Sequence, residues 1–251
     1  MAITPGMRPK APAPGTAAAP DRRAAPDRRA APDRRAHLFS LARQATGFMP
    51  DDEGEALHAA AARAGATFAG STMVEIGSWC GKSGIYLGAA AEETAAVLFS
   101  VDHHHGSEEN QPGWEHHDDS LVDPATGRID TLPHWRRAID GARLSGSVVG
   151  VVGDSPTIAA HWAAPLSFCF IDGGHGEAPA WADYRGWAPH VCLGGWLAIH
   201  DVFPDPADGG RPPFELWREA VDSGSFVDDG RCGSLRVLRK VAGAATARPV
   251  R

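Results

Sequence analysis

The chain has no long apolar run. No stretch approaches the roughly 18 consecutive apolar residues that a membrane-spanning helix needs. The first residues also lack the apolar core of a secretory signal. We therefore expect a cytoplasmic protein that does not enter the membrane.

Cysteine is scarce. The chain has four, Cys80, Cys169, Cys192 and Cys232, and they are not spaced as metal ligands. Cys169 and Cys192 lie inside apolar strand patterns. We interpret all four as small core residues in a reducing compartment, with disulfides as the less favoured alternative.

Positive charge is in short supply outside the first 36 residues. The chain has a net charge of −7, although residues 1–36 hold eight basic and three acidic side chains, a net +5, which leaves −12 for residues 37–251. Such an acidic body argues against a nucleic-acid partner, because binding there depends on neutralising phosphates.

Residues 1–36 are rich in Ala, Pro and Arg and repeat Pro-Asp-Arg-Arg-Ala from Pro20, Pro26 and Pro32. Recurrent proline interrupts helices and nothing apolar is available to pack, so we predict a disordered tail. A basic arm that touches an acidic surface is the alternative. The remaining residues, 37–251, have the length of one α/β domain.

One stretch, residues 73–83 (Met-Val-Glu-Ile-Gly-Ser-Trp-Cys-Gly-Lys-Ser), organises this domain. An apolar run ends in a glycine-bearing turn, and a segment of helical composition follows, which predicts a strand, a tight turn and a helix N-terminus. Glycine lets a ligand approach the backbone, and the helix end favours electron-rich groups. A second apolar run closes on Asp102, where an acidic side chain can bind ribose hydroxyls.

The turn lacks the spacing of both common phosphate-binding loops. Three residues, not four, separate Gly77 from Gly81-Lys82, and Trp79 stands where a dinucleotide fingerprint has its second glycine. The remaining Glu-x-Gly pattern suits a ligand with a cationic sulfonium and no phosphate, which is S-adenosylmethionine. A structural turn or another nucleotide remains as the alternative.

Strand and helix patterns alternate from residue 72 to residue 200 and end in a hairpin pattern at 226–241. This alternation predicts an α/β fold with a seven-stranded, mostly parallel sheet, helices on both faces and an antiparallel last strand. Ligands of such sheets gather at the carboxyl ends of the strands. Polar residues follow several predicted strands there: Glu75, Asp102, Asp154, Asp172 and His200-Asp201.

Two parts of the sequence resemble known methyltransferases. Residues 75–83 resemble the first motif of the catechol O-methyltransferase branch of class I methyltransferases, which pairs Glu-x-Gly with aromatic-Cys-Gly-x-Ser. Residues 170–176 and 194–201 look like small bacterial methyltransferases grouped as family 24. The resemblance covers roughly residues 55–240. It implies a Rossmann-like class I methyltransferase domain that uses S-adenosylmethionine.

We expect the cofactor to contact polar residues and glycines at the strand ends. These are Glu75, Gly77, Ser78, Gly81, Ser83, Asp102, His103, Asp154, Ser155 and Asp172. Asp154 or Ser155 is placed to meet the adenine amine, and either could instead cap the next helix.

The catalytic prediction rests on the same resemblance. In the catechol-type enzymes the corresponding loop is Asp-x-x-Lys, whose aspartate binds a divalent metal and whose lysine is the base, and a later acidic-amide pair completes the metal shell. This sequence has Asp172 and His175 in that loop and His200-Asp201 in place of the pair. The resemblance therefore implies His175 as general base and Asp172, His200 and Asp201 as ligands of Mg²⁺ or Mn²⁺.

These roles have alternatives. An imidazole with an ordinary pKa of about 6.5 accepts a proton near neutral pH; the less favoured alternative for His175 is a loop histidine bound to the backbone. Magnesium prefers oxygen ligands, so His200 could act as a second base. Asp172 could instead contact the amino group of the cofactor's methionine part.

Residues 103–132 form a long polar excursion from the cofactor end of the sheet, which we interpret as a substrate-recognition lid. Its histidine clusters are either solvated or metal-binding. Trp114 is the residue in it most suited to stack on a carbohydrate.

The predicted function is methyl transfer from S-adenosylmethionine to a hydroxyl of a small molecule. The family 24 resemblance favours a sugar or oligosaccharide acceptor, as in methylmannose-polysaccharide 1-O-methyltransferases. The alternatives are a catecholic or polyketide hydroxyl, or a non-methylating nucleotide-binding or hydroxylase-like protein of the same fold. The oligomeric state is left open, with a homodimer as one option.

Overall fold

The computed structural model describes residues 31–114, 116–205 and 211–243. Helices and strands alternate through these residues, as the sequence patterns predict. The helices are α1 (Ala31–Gln44), α2 (Asp51–Thr67), α3 (Lys82–Thr94), α4 (Leu132–Gly141), α5 (Ser155–Ala160), α6 (Glu177–Trp187) and α7 (Pro212–Asp222). The strands are β1 (Thr72–Ile76), β2 (Val97–Asp102), β3 (Val122–Asp123), β4 (Arg128–Ile129), β5 (Val148–Val152), β6 (Leu166–Ile171), β7 (Val191–Ile199), β8 (Phe226–Cys232) and β9 (Leu235–Lys240).

Seven of these strands form one sheet in the order β5-β2-β1-β6-β7-β9-β8. The five strands β5, β2, β1, β6 and β7 are parallel to one another, and β9 runs antiparallel to both β7 and β8. The predicted seven-stranded sheet with an antiparallel last strand is confirmed. The chain enters at β1, builds outward to β5 and then returns to place β6 on the other side of β1. Folds of this kind bind ligands in the crevice at such a reversal, outside the carboxyl ends of the strands.

Apolar layers cover both faces of the sheet because the parallel strands are hydrophobic on both sides. Along β1 the side chains alternate: Met73 joins the layer under α1, α2 and α3, and Val74 joins the layer under α6 and α7. All six residues of β6 are buried. The prediction of helices on both faces is confirmed.

The helical part of the chain begins earlier than the sequence indicated. Residues 1–30 of the predicted tail lie outside the described residues, but α1 starts at Ala31, six residues before the expected domain boundary. Arg34 donates to both carboxylate oxygens of Glu92, and Arg35 pairs in the same way with Glu93. The third repeat does not interrupt the helix. Pro32 falls in its first turn, where a backbone N–H would have no partner within the helix, so proline is tolerated.

The excursion after β2 is anchored to the domain. It contains two short 3₁₀ turns and the β3–β4 hairpin. Its buried residues Leu121 and Ile129 form a small apolar cluster with Cys80, and Trp79 packs against it. The predicted lid is therefore tied by packing to the turn that follows β1.

None of the helices in the described ranges is long and apolar enough to cross a membrane.

Candidate active site

The turn after β1 is shaped by two close contacts. Gly77 has φ +83°, and a Cβ atom there would lie 2.1 Å from the backbone oxygen of Asp172. Asp102, at the end of β2, accepts hydrogen bonds from the backbone N–H groups of Ser78 and Trp79, both at 2.9 Å, and of His104 at 2.7 Å. Asp102 thus holds the turn in place, a contact that the sequence pattern did not indicate.

A cleft of about 960 Å³ opens at the carboxyl ends of the parallel strands. Most of the predicted site residues line it. They are Gly77, Ser78, Ser83, Asp102, His103, Asp154, Ser155, Asp172, His175, His200 and Asp201. Glu75 and Gly81 do not line it.

Glu75 departs from the prediction because its side chain turns away from the cleft. It is fully buried, and Ser100 donates a hydrogen bond to its Oε1 at 2.5 Å. Burial raises the pKa of Glu75 to about 8, against the hydrogen bonds from Ser100 and Ser83. Burial thus favours the neutral form of the side chain, and its Oε1 lies against the first turn of α3, 3.0 Å from where a Cβ of Gly84 would be.

Gly81 also acts from behind the cleft. It takes φ +94° as the residue before α3, and a Cβ there would lie 3.2 Å from Ala138 and 3.3 Å from Trp135. The glycine thus allows α4 to approach the start of α3.

The two residues predicted near adenine have different environments. Asp154 caps α5 by accepting a hydrogen bond from the Thr157 N–H at 3.0 Å, as the alternative interpretation anticipated. Ser155 instead contacts α6: its hydroxyl donates to Asp183 Oδ1 at 2.5 Å and accepts from Trp187 Nε1 at 2.8 Å.

His200 is buried in a ring of carboxylates. Its Nδ1 lies 3.0 Å from Asp172 Oδ1 and 3.2 Å from Asp201 Oδ2. Its Nε2 lies 2.7 Å from Glu53 Oε2. Burial acts to lower the pKa of His200, but the charge of Asp172 and the hydrogen bonds to the carboxylates raise it well above its ordinary value. Both ring nitrogens therefore carry protons and act as donors.

His175 has the same kind of environment nearer the surface. Its Nε2 lies 2.9 Å from Asp201 Oδ2, and its Nδ1 lies 3.4 Å from Glu109 Oε2 in the lid. Burial opposes protonation, but hydrogen bonds to these two carboxylates raise the pKa of His175 to about 10. In this arrangement the ring is protonated at neutral pH, which the sequence did not indicate.

One group of side chains among the described residues has the geometry of a metal site. Single ligand atoms of Asp172, His175 and Asp201 all lie within 4.8 Å of one another. His200 is not part of this group, which is defined by the distances between the ligand atoms. The histidine in this candidate ligand group is thus His175, whereas the resemblance implied His200. Asp201 has φ +56°, a strained conformation of the kind that clusters at functional sites.

Aromatic side chains surround the mouth of the cleft. Phe48 is 62% exposed and Trp114 is 60% exposed. The Phe48 ring lies 5.0 Å from that of His116 and 6.0 Å from that of Trp79, measured between centroids. All four residues line the cleft. Trp114, the lid residue singled out for stacking on a carbohydrate, thus lines the cleft, and its contact with an acceptor stays a prediction.

Sequence reasoning missed three residues of the site. Glu53 looked like an acidic residue in the first turn of a surface helix, Asp183 like a polar residue of α6, and Phe48 like part of a connection. No local pattern distinguishes them, because the contacts that place them, such as that of Glu53 with His200, join residues distant in the sequence.

A sheet of this strand order, with an acidic crevice at its reversal point, defines the class I methyltransferase fold. A family model described as a methyltransferase domain, family 24, matches residues 74–202, more than half of the chain. The protein belongs to this family of methyltransferases.

Solved structures of similar fold include several methyltransferases. The O-methyltransferase NovP has a TM-score of 0.58 and 15% identity, covering 76% of this chain and 81% of that one. TomG from Streptomyces achromogenes, solved with S-adenosylmethionine, has a TM-score of 0.55 and 14% identity, covering 84% and 90%. An O-methyltransferase from Bacillus cereus, solved with S-adenosylhomocysteine, has a TM-score of 0.54 and 15% identity, covering 86% and 92%. At these identities the likeness concerns the fold, and the predicted class I methyltransferase is confirmed.

Proposed function

We propose that this protein transfers a methyl group from S-adenosylmethionine to a hydroxyl of a small molecule, with a sugar or oligosaccharide as the favoured acceptor. The observation that carries the proposal is one continuous cleft. Its lining includes the Gly77 turn and Asp102 together with the cluster of Asp172, His175 and Asp201.

The charge of the cleft fits the cofactor. Lys82 is the only lysine or arginine among the described residues that line it, and Lys82 is paired with Asp51 at 3.3 Å. The other charged lining residues are mostly carboxylates. Such a surface suits a sulfonium and an ammonium group and disfavours phosphate. Asp102 Oδ1 remains available to ribose hydroxyls, because it accepts only the His104 N–H among the hydrogen bonds of the described residues and has a further lone pair.

The donor set fits a divalent cation. Asp172 and Asp201 would hold it, and carboxylate oxygens suit Mg²⁺ and Mn²⁺. A bound cation of this kind would lower the pKa of an acceptor hydroxyl and fix its orientation. His200 serves these carboxylates as a hydrogen-bond donor that fixes their positions and offsets their charge.

We assign His175 as the general base. An alcohol is a poor nucleophile, so transfer needs the hydroxyl to lose its proton as the new bond forms. The ring can accept that proton only after losing its own, and the carboxylate of Asp201 keeps it protonated. Neutralisation of Asp201 would therefore bring the pKa of His175 down toward neutral pH.

A second role for His175 is favoured by a specific observation, namely its grouping with Asp172 and Asp201 as a ligand. The two roles predict different results for His175→Ala. If His175 is the base, the variant loses turnover and still binds Mn²⁺. If His175 is a metal ligand, the variant loses both turnover and Mn²⁺ binding.

The aromatic mouth supports the choice of acceptor. The exposed faces of Phe48 and Trp114 offer flat apolar surface against which a sugar ring can pack. A catecholic or polyketide ring would use the same faces and is the alternative acceptor. The free cysteines Cys80, Cys169, Cys192 and Cys232 support a reducing, cytoplasmic location.

Two experiments test the proposal. The first measures thermal stabilisation by S-adenosylhomocysteine, ATP and NAD, because a ligand of the native state raises its stability. Stabilisation by ATP or NAD alone would refute the cofactor assignment. The second screens glycans and catechols with a labelled methyl donor, with and without a chelator. Transfer only to catechols would refute the sugar acceptor. Transfer that survives full chelation would refute the requirement for a divalent metal.

A further inference from the structure

Glu53 is a buried carboxylate that does not line the cleft. It lies in the first turn of α2 and is 4% exposed. Its Oε2 accepts the Nε2 proton of His200 at 2.7 Å. Burying a carboxylate is costly unless donors surround it, and the donors to Glu53 come from residues far along the chain.

The tip of the β8–β9 hairpin holds the Glu53 carboxylate from the other side. Ser234 donates its backbone N–H to Oε1 at 2.8 Å and its hydroxyl to Oε2 at 2.9 Å. Gly233 leaves the room for this approach, since a Cβ there would lie 2.1 Å from Oε1. Both oxygens of Glu53 are therefore fixed by the hairpin tip.

His200 connects Glu53 to two carboxylates of the active site. Its Nδ1 lies 3.0 Å from Asp172 Oδ1 and 3.2 Å from Asp201 Oδ2, so both oxygens share one N–H. The imidazole ring is rigid, and an acceptor fixed at Nε2 therefore fixes the direction of the Nδ1–H. The place of Glu53 thus determines how the ring meets Asp172 and Asp201.

The same hairpin tip also holds the backbone that follows Asp201. The carbonyl of Ser234 accepts the N–H of Val202 at 3.0 Å. Asp201 has φ +56°, a conformation that persists in a residue other than glycine only where surrounding contacts enforce it. Ser234 is therefore tied both to Glu53 and to the strained segment that carries Asp201.

We propose that Glu53 is a positioning residue: held by Ser234, it orients the ring of His200 and thereby keeps Asp172 and Asp201 at the spacing that a divalent cation needs. The inference rests on the proposed function, in particular on the proposed metal. Side chains that orient metal ligands from behind are as much a part of such sites as the ligands themselves. Glu53 acts through His200 and touches none of the reacting groups.

The test measures binding of Mn²⁺ and of S-adenosylhomocysteine to the full chain by titration calorimetry. We expect Glu53→Gln to bind Mn²⁺ about 10–100-fold more weakly than the wild type, the usual effect of removing a side chain that orients a metal ligand. Its affinity for S-adenosylhomocysteine should change less than about threefold, because Asp102 holds the Gly77 turn through contacts of its own. A general loss of structure would weaken both ligands together.

Two further variants sharpen the comparison. Glu55→Gln, on the exposed side of the same helix, is the matched control and should keep both affinities. Ser234→Ala leaves the charge of Glu53 in place and removes only the donor at 2.9 Å. It should weaken Mn²⁺ binding in the same direction and to a smaller extent, and it decides the matter if Glu53→Gln does not fold.

A double-mutant cycle checks that Glu53 acts through His200. With His200→Asn already in place, Glu53→Gln should lower the affinity for Mn²⁺ less than about twofold. The same loss in both backgrounds would overturn the inference.

The outcomes separate this inference from the proposed function. Unchanged Mn²⁺ affinity in Glu53→Gln, or an equal loss of both ligands, overturns the inference alone. A wild type that binds S-adenosylhomocysteine but not Mn²⁺ overturns the inference and the proposed metal, and leaves methyl transfer standing. A wild type that binds neither ligand overturns the proposed function as well.

Discussion

Glu53→Gln should destabilise the protein strongly, although Glu53 has no direct place in the proposed chemistry. Glu53 is 4% exposed and accepts three hydrogen bonds. They come from His200 Nε2 at 2.7 Å, from the Ser234 N–H at 2.8 Å and from the Ser234 hydroxyl at 2.9 Å. Glutamine keeps the shape of the side chain but replaces one carboxylate oxygen with a donor that faces the protonated ring of His200.

The size of the effect follows from these contacts. Removing one partner of a buried ion pair costs about 3–5 kcal/mol. The remaining oxygen of glutamine still accepts from the Ser234 N–H, so we expect the lower value, about 3 kcal/mol. For a domain of this size that corresponds to a fall in Tm of about 6–12 °C. Urea unfolding at pH 7 measures the free energy directly.

Glu55→Gln is the matched control on the same helix. Glu55 pairs with Arg43 at the surface, where both side chains are 45% exposed, so the change should cost less than about 1 kcal/mol. A loss for Glu53→Gln no larger than that of the control would refute the reasoning.

The pH dependence gives a second check on Glu53. Burial acts to raise the pKa of Glu53, but hydrogen bonds from His200 and Ser234 outweigh it, so the pKa is lowered from 4.5. A carboxyl with a lowered pKa contributes stability above its unfolded pKa and loses it as the pH falls through the folded value. The difference between Glu53→Gln and the wild type should therefore shrink below about pH 4.5. A difference that stays constant down to pH 3 would contradict this assignment.

Four further predictions concern catalysis. His175→Ala should lower kcat about 10²–10⁴-fold with unchanged affinity for S-adenosylhomocysteine, and full turnover on an identified acceptor would remove the base assignment. Glu109→Gln removes a carboxylate that raises the pKa of His175, so the alkaline rise of the pH–rate profile should move to lower pH; an unmoved profile would contradict the pairing. Asp201→Asn should abolish stimulation by Mn²⁺, which a metal titration of activity measures, and retained stimulation would exclude Asp201 as a ligand. Trp114→Ala should raise the KM of the acceptor severalfold without changing that of S-adenosylmethionine, and an unchanged acceptor KM would exclude stacking there.

Local patterns were sufficient for the fold and for the place of the cleft. The turn at Gly77 and the strand end at Asp102 follow from an apolar run, a glycine and an acidic residue at a set spacing. Alternating strands and helices allow few arrangements of a parallel sheet, and its carboxyl edge then collects the polar residues that follow each strand.

Local patterns were less informative about the ends of elements. The described part of α1 includes residues of the third repeat, and Arg34 and Arg35 there pair with Glu92 and Glu93 on α3. The proline-rich repeat by itself indicates an interruption. In the structure the helix includes this repeat, with contacts between residues 58 positions apart.

The sequence by itself determined that a glycine-bearing turn follows the first strand of a class I methyltransferase sheet, and which strand ends meet at its rim. Only the tertiary structure decided what each side chain does there. It turned Glu75 inward and brought Glu53 to His200 across 147 positions. It also surrounded His175 with carboxylates. The physical reason is that periodicity and turn chemistry depend on neighbours along the chain, whereas protonation and ligand binding depend on which charges the folded packing brings within a few ångströms.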